Sequence, residues 1–402
     1  MPQDGKPTSP HGSALDVLKV FSALGVTSFG GPVAHLGYFR EAFVVRRRWL
    51  DESSYADLVA LGQFLPGPAS SQVAFAIGLA RAGLWGGLGA WCGFTLPSAL
   101  LLLAFAYFAT SLTGVAAAGA IHGLSLVAVA VVAQAVWGMA RMLTPDVVRA
   151  AIAAVGAAIV LLVSGSFGQI AAILLGALAG LVLCRGLIAP IQGRIDFAIS
   201  PRMGAGALAL FFGLLLLLPL LTVRSHGLAV FEAFYRSGAL VFGGGHVVLP
   251  LLHDAVVAPG WISPDAFLAG YGAAQAVPGP LFTVAAYLGA SLTGAPNGVW
   301  GAGLALVAIF LPGMLILAGA LPFWDRFRMR ADAQAVMRGV NAAVVGLLAA
   351  ALYDPLWKSA ILSWSDLGLA LAGFALLTLL KWRPLIVVVA MVAASMALAL
   401  LG

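Results

Sequence analysis

The sequence has few charged residues and only two cysteines. Of its 402 residues, 9% are charged and 62% are hydrophobic, and the mean hydropathy is +1.03. Soluble domains are about 25% charged, so this composition excludes an ordinary soluble domain and indicates a polytopic membrane protein. Cys92 and Cys184 lie in apolar runs without CxxC or Cys/His spacing. We therefore expect two small buried side chains there, and neither a disulfide nor a metal site.

The excess of basic residues does not predict a nucleic-acid partner. The chain has 21 Lys and Arg against 15 Asp and Glu, but the basic residues are scattered at the ends of apolar segments and form no interleaved basic and aromatic face. They are typical of topology signals beside a lipid bilayer. The polar tail, residues 1–13, is not followed by a short apolar core with a small-residue cleavage site, so we expect no signal peptide.

Sequence signatures of enzymes are also missing. The chain contains no HExxH, GxxxxGK(S/T) or GxSxG motif and no pair of intramembrane aspartates at credible spacing. No soluble insert is long enough for a nucleotide-binding domain. We therefore expect neither an enzyme nor a cofactor. The alternative, a membrane-embedded reductase or hydrolase, would require a cofactor ligand set or a nucleophile.

The chain contains the same unit twice. Gln63-Phe64-Leu65-Pro66-Gly67-Pro68 returns as Gln275-Ala276-Val277-Pro278-Gly279-Pro280, and Phe29-Gly30-Gly31 returns as Phe242-Gly243-Gly244. Trp49 and Trp261, Trp85 and Trp300, and Gly123 and Gly339 also correspond. The offset drifts only from 212 to 216 residues, which indicates one ancestral unit used twice.

Apolar segments follow the same order in both copies. In the first half, four short segments come in pairs joined at glycine and proline motifs, and four longer segments follow at 84–109, 114–140, 147–164 and 167–184. Each short pair is either a re-entrant hairpin or a broken span. Segment 203–223 has no counterpart and connects the copies. We predict an all-α polytopic membrane protein with a tail (1–13), a first repeat (14–190), a connector (191–226) and a second repeat (227–402).

The distribution of positive charge predicts that the two repeats are inverted. If the early pairs are hairpins entered from the cytoplasm, nearly all Lys and Arg lie inside and only Arg224, Arg236 and Lys358 lie outside or near that face. A parallel arrangement would put the cluster between Arg326 and Arg330 outside. We therefore expect a cytoplasmic N-terminus, a periplasmic Gly402 and a location in the bacterial inner membrane.

Broken helices in matching positions are typical of secondary transporters, whose sites lie near the membrane midplane. Helix starts present free N–H groups that attract anions, and glycine lets a ligand approach the backbone closely. The predicted helix breaks are Pro32, Pro66, Pro68, Pro278 and Pro280. The predicted oxyanion site includes Gly30, Gly31, Gly67, Gly243, Gly244 and Gly279. The alternative is that these residues serve only close packing and kinks.

Several side chains near the breaks are candidates for the same site. His35 and His246 follow the two glycine motifs, Arg40 lies further along from His35, and Ser70 supplies a neutral donor beyond the first break. Each has a structural alternative: packing for His35 and an interfacial anchor for Arg40. Gln63 and Gln275 can donate to an oxyanion or cap freed carbonyls. Glu41 and Glu232 are candidates for proton coupling, and for Glu232 the alternative is an internal ion pair with Arg236.

These motifs resemble the chromate ion transporter family. The family's Phe-Gly-Gly and Pro-Gly-Pro motifs fall on Phe29 to Pro32, Pro66 to Pro68, Phe242 to Gly244 and Pro278 to Pro280, with Gly245 in place of a proline. The likeness covers essentially the whole chain after the tail and corresponds to the long form with two repeats.

The resemblance implies efflux of chromate, with sulfate as a competing analogue, and chromate resistance. From the residues alone we expect an anion carrier that works by alternating access. The alternatives are an importer of sulfate or another oxyanion, and a passive anion channel. The expected partners are the oxyanion, the lipid bilayer and, as one assembly compatible with the sequence, a second copy of the chain.

Overall fold

The computed structural model describes residues 12–111, 114–163, 165–185, 199–242, 245–324 and 330–401. All regular secondary structure in these ranges is helical, which confirms the all-α fold class. Gly243, Gly244, the cluster between residues 325 and 329, and Gly402 lie outside the described residues.

Among the described residues, the first half contains seven helical segments, and an eighth leads to the second half. Their bounds are α1 (Ala14–Thr27), α2 (Gly31–Arg40), α3 (Glu52–Phe64), α4 (Ala69–Ser111), α5 (Val115–Leu143), α6 (Val147–Leu162), α7 (Ser166–Leu183) and α8 (Pro201–Leu221). The fourth segment is interrupted by non-helical backbone at Ala82 and Gly83. A π-helical turn, Glu41–Arg46, continues α2. The helix α8 is the predicted connector, and it lies against α9 and α13 at the edge of the molecule.

The second half repeats this order. Its helices are α9 (His226–Ala239), α10 (Val248–Val256), α11 (Pro264–Ala276), α12 (Val284–Ala290), α13 (Gly298–Ala320), α14 (Ala331–Ala351), α15 (Trp364–Thr378) and α16 (Pro384–Leu401). Short helical turns lie at 222–224, 245–247, 281–283, 321–323 and 352–360. The turn at Gly245–Val247 precedes α10, whereas α2 begins directly at Gly31.

Equivalent helices begin at equivalent capping residues. The side chain of Asp51 accepts a hydrogen bond from the backbone of Ser54 at the start of α3, and Ser263 does the same for Ala266 at the start of α11. Ser13 and Ser225 likewise cap α1 and α9. An N-cap oxygen satisfies one of the free N–H groups at a helix start. Both copies therefore set their helix boundaries by the same local chemistry.

Six helices in the described ranges have the length and hydropathy to cross a membrane: α4, α5, α8, α13, α14 and α16, some extended by an adjoining turn. Two of the segments expected to span are shorter than predicted. Helix α6 has 16 residues and α15 has 15, or about 24 and 22 Å at 1.5 Å per residue. The hydrocarbon core of a bilayer is about 30 Å thick.

The short segments fold back as hairpins rather than continuing as broken spans. A Cβ added at Gly62 in α3 would lie 3.0 Å from Val73 in α4, whereas eleven residues of straight helix would separate them by about 16 Å. In the second half, Gly270 of α11 contacts Tyr287 of α12. The rings of Phe21 and Phe39, on α1 and α2, are 5.6 Å apart. The predicted breaks thus lie at the turns of hairpins.

The two halves interlock through small residues. Gly123 of α5 packs against Val392 of α16, and Gly339 of α14 packs against Gly176 and Gly180 of α7. Glycine lets helices approach closely without relying on a hydrophobic effect that is absent in lipid. Helix α14 is the counterpart of α5, and α7 is the counterpart of α16, so the two contacts are equivalent. In each contact, the last helix of one half packs against the other half.

Candidate functional site

A small cavity lies between the two halves, and residues from both halves line it. The first half provides Gly30 and Gly31, and the second half provides His246, Gln275 and Gly279. All five are predicted site residues. The remaining lining residues are Val131, Gln134, Ala274, Val277, Leu281 and Pro384. We call this space the central cavity.

The central cavity has the size of an inorganic ion's site. Its volume is about 60 Å³. One water molecule needs about 10–15 Å³ of cavity volume, so this space holds a few water molecules. Pockets for drug-sized ligands have volumes of about 300–1,000 Å³. The cavity therefore excludes large organic solutes and admits a small hydrated or partly hydrated ion.

Two equivalent hydrogen bonds join the halves beside this cavity. The N–H of Gly67 donates to the carbonyl of Val241 at 2.7 Å, and the N–H of Gly279 donates to the carbonyl of Ser28 at 2.9 Å. Val241 and Ser28 precede the two glycine motifs. Each Pro-Gly-Pro break is thus tied to the glycine motif of the other half, in a reciprocal pattern typical of twofold symmetry. Both glycine N–H groups are occupied by protein carbonyls rather than directed at a ligand.

The second Pro-Gly-Pro break lies beside the cavity. The amide nitrogen of Gln275 is buried and has no close hydrogen-bond partner among the described residues, but the side chain interacts with the hydroxyl of Tyr271. Leaving such a donor unpaired costs about 1–3 kcal/mol, so buried polar groups nearly always have a partner. Gln275 lines the central cavity. The side chain of Gln275 therefore forms part of the cavity wall, with its amide nitrogen covered by neighbouring atoms.

The first Pro-Gly-Pro break is closed by Gln72. The amide nitrogen of this residue donates to the carbonyls of Pro66 at 2.8 Å and Gly313 at 3.0 Å. A Cβ added at Gly67 would lie 3.0 Å from both the Gln72 amide and the Cα of Gly313. Gln63, the counterpart of Gln275, is exposed. The first break is therefore filled by protein where the second faces a cavity.

The two histidines after the glycine motifs also differ. His246 lines the central cavity, with its Nδ1 2.7 Å from the hydroxyl of Tyr271. His35 is fully buried, packs edge-on against Phe94 at 5.1 Å, and has its Nδ1 3.4 Å from the hydroxyl of Ser70. His35 and Ser70 do not line the cavity, and the Nε2 of His35 is buried without a hydrogen-bond partner among the described residues, so a role in binding remains a prediction for both.

The charged candidates lie in ion pairs away from the central cavity. Arg40 donates two hydrogen bonds to Glu52, at 2.7 and 2.9 Å, and both side chains are exposed. Hydrogen bonding from Arg40 lowers the pKa of Glu52. Glu41 pairs with Arg46 at 2.8 Å, and Glu232 pairs with Arg236 at 2.6 Å. The roles predicted for Arg40, Glu41 and Glu232 in binding or coupling remain predictions. The observed pair with Arg236 matches the structural alternative for Glu232.

Two larger cavities lie on either side of the central one along α5. The first, about 510 Å³, shares Gly30, Gln134 and Pro384 with the central cavity and extends past Arg141 and Lys381. The second, about 780 Å³, lies near the start of α5 around His122 and Ser125. The imidazole of His122 is 2.8 Å from the carboxylate of Asp366 on α15. Helix α5 thus lines all three spaces in turn.

Gln134, a side chain of α5, lines both the central cavity and the first larger one and is not among the residues predicted from the sequence. Its amide donates to the carbonyl of Leu377 on α15 at 3.3 Å. A signal was present, because Gln134 is the only amide side chain in the apolar run from Leu124 to Trp137. A polar group in a membrane-buried helix generally has a functional or pairing role.

The fold and this site define a class: multi-pass membrane proteins whose duplicated hairpins enclose an ion-sized cavity. A family model described as "Chromate transporter" matches residues 15–181 and 228–397. The chain belongs to the chromate transporter family, which is a family of transport proteins. The two matched regions correspond to the two repeats.

Similar proteins are found in distant bacteria. A chromate transport protein from Pseudomonas aeruginosa is 28% identical over 386 residues, covering 94% of this chain and 90% of its own length. One from Cupriavidus metallidurans is 27% identical, with 94% and 90% covered. The uncharacterized transporter YwrA of Bacillus subtilis is 30% identical over 160 residues, covering 38% of this chain and 85% of its own length. No solved structure matches the chain.

Proposed function

We propose that this protein is a secondary transporter that exports chromate across the inner membrane by alternating access. The observation that carries the proposal is the ion-sized cavity between the halves, which is lined by predicted site residues from both of them, among them Gln275 and His246. The names of the Pseudomonas and Cupriavidus relatives supply the identity of the ion. A tetrahedral oxyanion offers acceptor oxygens in several directions, which suits the amides of Gln275 and Gln134 and a histidine N–H at His246.

The chemistry of the cavity favours binding that is readily reversible. No Lys, Arg, Asp or Glu is among the residues that line the central cavity. Full neutralisation of a dianion by arginine in a low-dielectric site would hold the ion too tightly to release. Neutral donors instead replace part of the hydration shell. Export needs no ATP, because moving negative charge out of a cell that is negative inside is downhill by about 2.3 kcal/mol per charge per 100 mV.

Helix directions support the inverted arrangement of the repeats. Helices α5 and α15 run side by side in the same direction, since His122 meets Asp366 near their starts and Gln134 meets Leu377 near their ends. A short connection follows α5, so α6 runs back towards the start of α5. Because α6 and α15 are equivalent, these directions support the proposal that the two copies are oppositely oriented. A reporter fused after Gly402 is expected to report the periplasm, and a cytoplasmic signal would overturn this orientation.

The transport proposal is tested with everted membrane vesicles. Labelled chromate should accumulate with time, saturate, exchange by counterflow, and respond to an imposed potential, and sulfate should compete. The variant Gln275→Ala should weaken this uptake by lowering the affinity for chromate, while the matched variant Gln63→Ala should retain it. Accumulation no greater than in vesicles lacking the protein would refute the proposal. Flux that never saturates would instead assign a passive channel. In a sensitive host, expression should raise the tolerated chromate concentration.

A further inference from the structure

The cavity beside Arg141 forms a mouth that leads to the central cavity. It has a volume of about 510 Å³ and shares Gly30, Gln134 and Pro384 with the central cavity. The other lining residues are Trp137, Gly138, Arg141, Leu377, Thr378, Lys381 and Trp382. We call this space the mouth. Arg141 lies seven residues beyond Gln134 on α5, or about 10 Å along the helix axis.

The positive charges of the mouth come from both halves of the chain. Arg141 is in the last turn of α5, and Lys381 lies between α15 and α16. They are 240 residues apart in sequence and meet only because the halves interlock. Positive charges at helix ends usually serve topology. A basic residue that serves only as a topology signal has to lie on the correct face of the membrane. It does not have to line the same cavity as another such residue.

Neither charge is neutralised by the part of the protein that the structure describes. Arg141 and Lys381 form no ion pair with a described carboxylate, and no Asp or Glu lines the mouth. By contrast, the nearby Arg149 is paired with Asp146 at 2.6 Å. Two uncompensated cations in a concave space raise the local concentration of anions.

Further groups in the mouth are placed to act on an ion held there. Thr378 lines the mouth, and its hydroxyl is buried beside it without a partner in the described ranges. The guanidinium of Arg141 lies 5.3 Å from the ring centre of Trp137. Contact with the aromatic face restricts the guanidinium and holds it over the cavity.

We propose that Arg141 and Lys381 form a capture site for a small dianion at the mouth, separate from the central cavity. The capture site takes the dianion from bulk solvent, and the ion then moves about two turns along α5, past Gln134, to Gln275. This inference rests on the proposed transport function and adds a second binding position to it. By the charge distribution, the mouth faces the cytoplasm, where an exporter collects its substrate.

The capture site can be detected without transport. Chromate absorbs in the near ultraviolet, where tryptophan emits, so chromate bound at the mouth should quench Trp137 and Trp382. We expect saturable quenching of the purified protein by chromate, reversed by sulfate, which does not absorb there. The quenched component should be reduced in Trp137→Phe. In the double variant Arg141→Gln, Lys381→Gln it should require about tenfold more chromate, since two nearby charges are lost.

Transport kinetics separate capture from the later steps. The double variant should raise the KM for chromate about tenfold, leave kcat within about twofold, and flatten the dependence of KM on ionic strength. Arg141→Lys with wild-type Lys381 should keep a KM near that of the wild type. Arg149→Gln removes the same kind of charge from an existing ion pair and is the matched control. It should leave both KM and quenching unchanged.

The outcomes distinguish this inference from the proposed function. Quenching in the double variant equal to that in Arg149→Gln would remove the capture site, even if Gln275→Ala still weakened transport. Saturable, sulfate-reversible quenching in a wild-type protein that moves no chromate would keep the capture site and refute the transport proposal. If the double variant does not fold, unchanged quenching in Trp137→Phe together with unchanged quenching in Trp382→Phe would overturn the inference.

Discussion

The two Pro-Gly-Pro breaks have the same backbone and different surroundings. Each glycine has a positive φ, +122° at Gly67 and +95° at Gly279, and each donates its N–H across to the other half. The first break is closed by Gln72, whereas Val284 occupies the corresponding position after the second break, which faces the central cavity. The first break is thus a packed contact between the halves, and the second is a candidate binding surface. The hairpins are alike in both copies, and the difference between the breaks lies in single side chains.

The largest expected effects come from adding a methyl group at the two break glycines. Alanine at a positive φ costs about 1–2 kcal/mol in itself, and the new Cβ would lie 2.8 Å from Ser98 in Gly279→Ala and 3.0 Å from Gly313 in Gly67→Ala. We expect Gly279→Ala to abolish chromate uptake, because Gly279 lines the central cavity. We expect Gly67→Ala mainly to lower the thermal unfolding midpoint. Uptake per folded molecule and unfolding in detergent measure the two effects. Equal uptake in both variants would remove the functional difference between the breaks.

Replacing the two corresponding glutamines should give the next largest difference. Gln275→Ala removes a donor to a charged ligand, an interaction worth about 1.5–3 kcal/mol, so affinity should fall by tenfold or more. Gln63 is exposed, and Gln63→Ala should change affinity by less than twofold. Chromate affinity can be measured from the concentration dependence of uptake. A similar loss in both variants would mean that the first break also faces the substrate during transport.

Removing the amide of Gln72 should weaken the closed break. Gln72→Met keeps much of the side-chain shape but leaves the carbonyls of Pro66 and Gly313 without this donor, which should cost about 1–3 kcal/mol. A lower unfolding midpoint in detergent is the expected result, with Gln63→Met as the exposed control. An unchanged midpoint would show that Gln72 does not hold the two halves together.

Substitutions of the two histidines should have smaller effects, one on chromate binding and the other on packing. His246→Gln keeps a polar group at the cavity wall and should weaken chromate affinity several-fold while the protein stays folded. His35→Gln alters a fully buried ring contact with Phe94, so it should lower the unfolding midpoint and leave the affinity of the folded fraction unchanged. The reverse assignment of effects would place the binding surface at the first glycine motif instead.

The smallest effect is expected at Arg40. Its ion pair with Glu52 is exposed, and exposed pairs contribute about 0–1 kcal/mol. Arg40→Gln should therefore alter both the unfolding midpoint and chromate uptake very little, as should the matched variant Glu52→Gln. Loss of uptake in Arg40→Gln alone would support the prediction that Arg40 meets the substrate.

Features encoded locally could be predicted from the sequence. At Pro66 and Pro278 the missing N–H is followed by a glycine with a positive φ, so α3 and α11 end at the predicted breaks. Proline alone is not sufficient, because Pro97, Pro219 and Pro312 lie inside helices. The repeat could be found because the same motifs recur at a nearly constant offset. Because the motifs were treated as halves of one site, the prediction grouped residues that line the central cavity together, namely Gly30, Gly31, His246, Gln275 and Gly279.

Features that depend on neighbouring helices could not be predicted in this way. Gln63 and Gln275 precede identical Pro-Gly-Pro motifs, and only packing shows that one is exposed and the other lines a cavity. The N–H groups of Gly67 and Gly279 pair with the carbonyls of Val241 and Ser28 in the opposite half, and nothing near either glycine in the sequence indicates these partners. The mouth could not be derived either, since nothing near Arg141 in sequence indicates Lys381 as its neighbour.

The reciprocal hydrogen bonds between the halves bear on why two copies share one chain. In an assembly of two identical subunits with twofold symmetry, a substitution is present at both equivalent positions, so a glutamine that closes one break would close the other as well. Fusion removes that constraint. Gln72 can fill the break of one copy while Val284 leaves the break of the other copy unfilled. The two halves can therefore differ at equivalent positions, which two identical subunits cannot do.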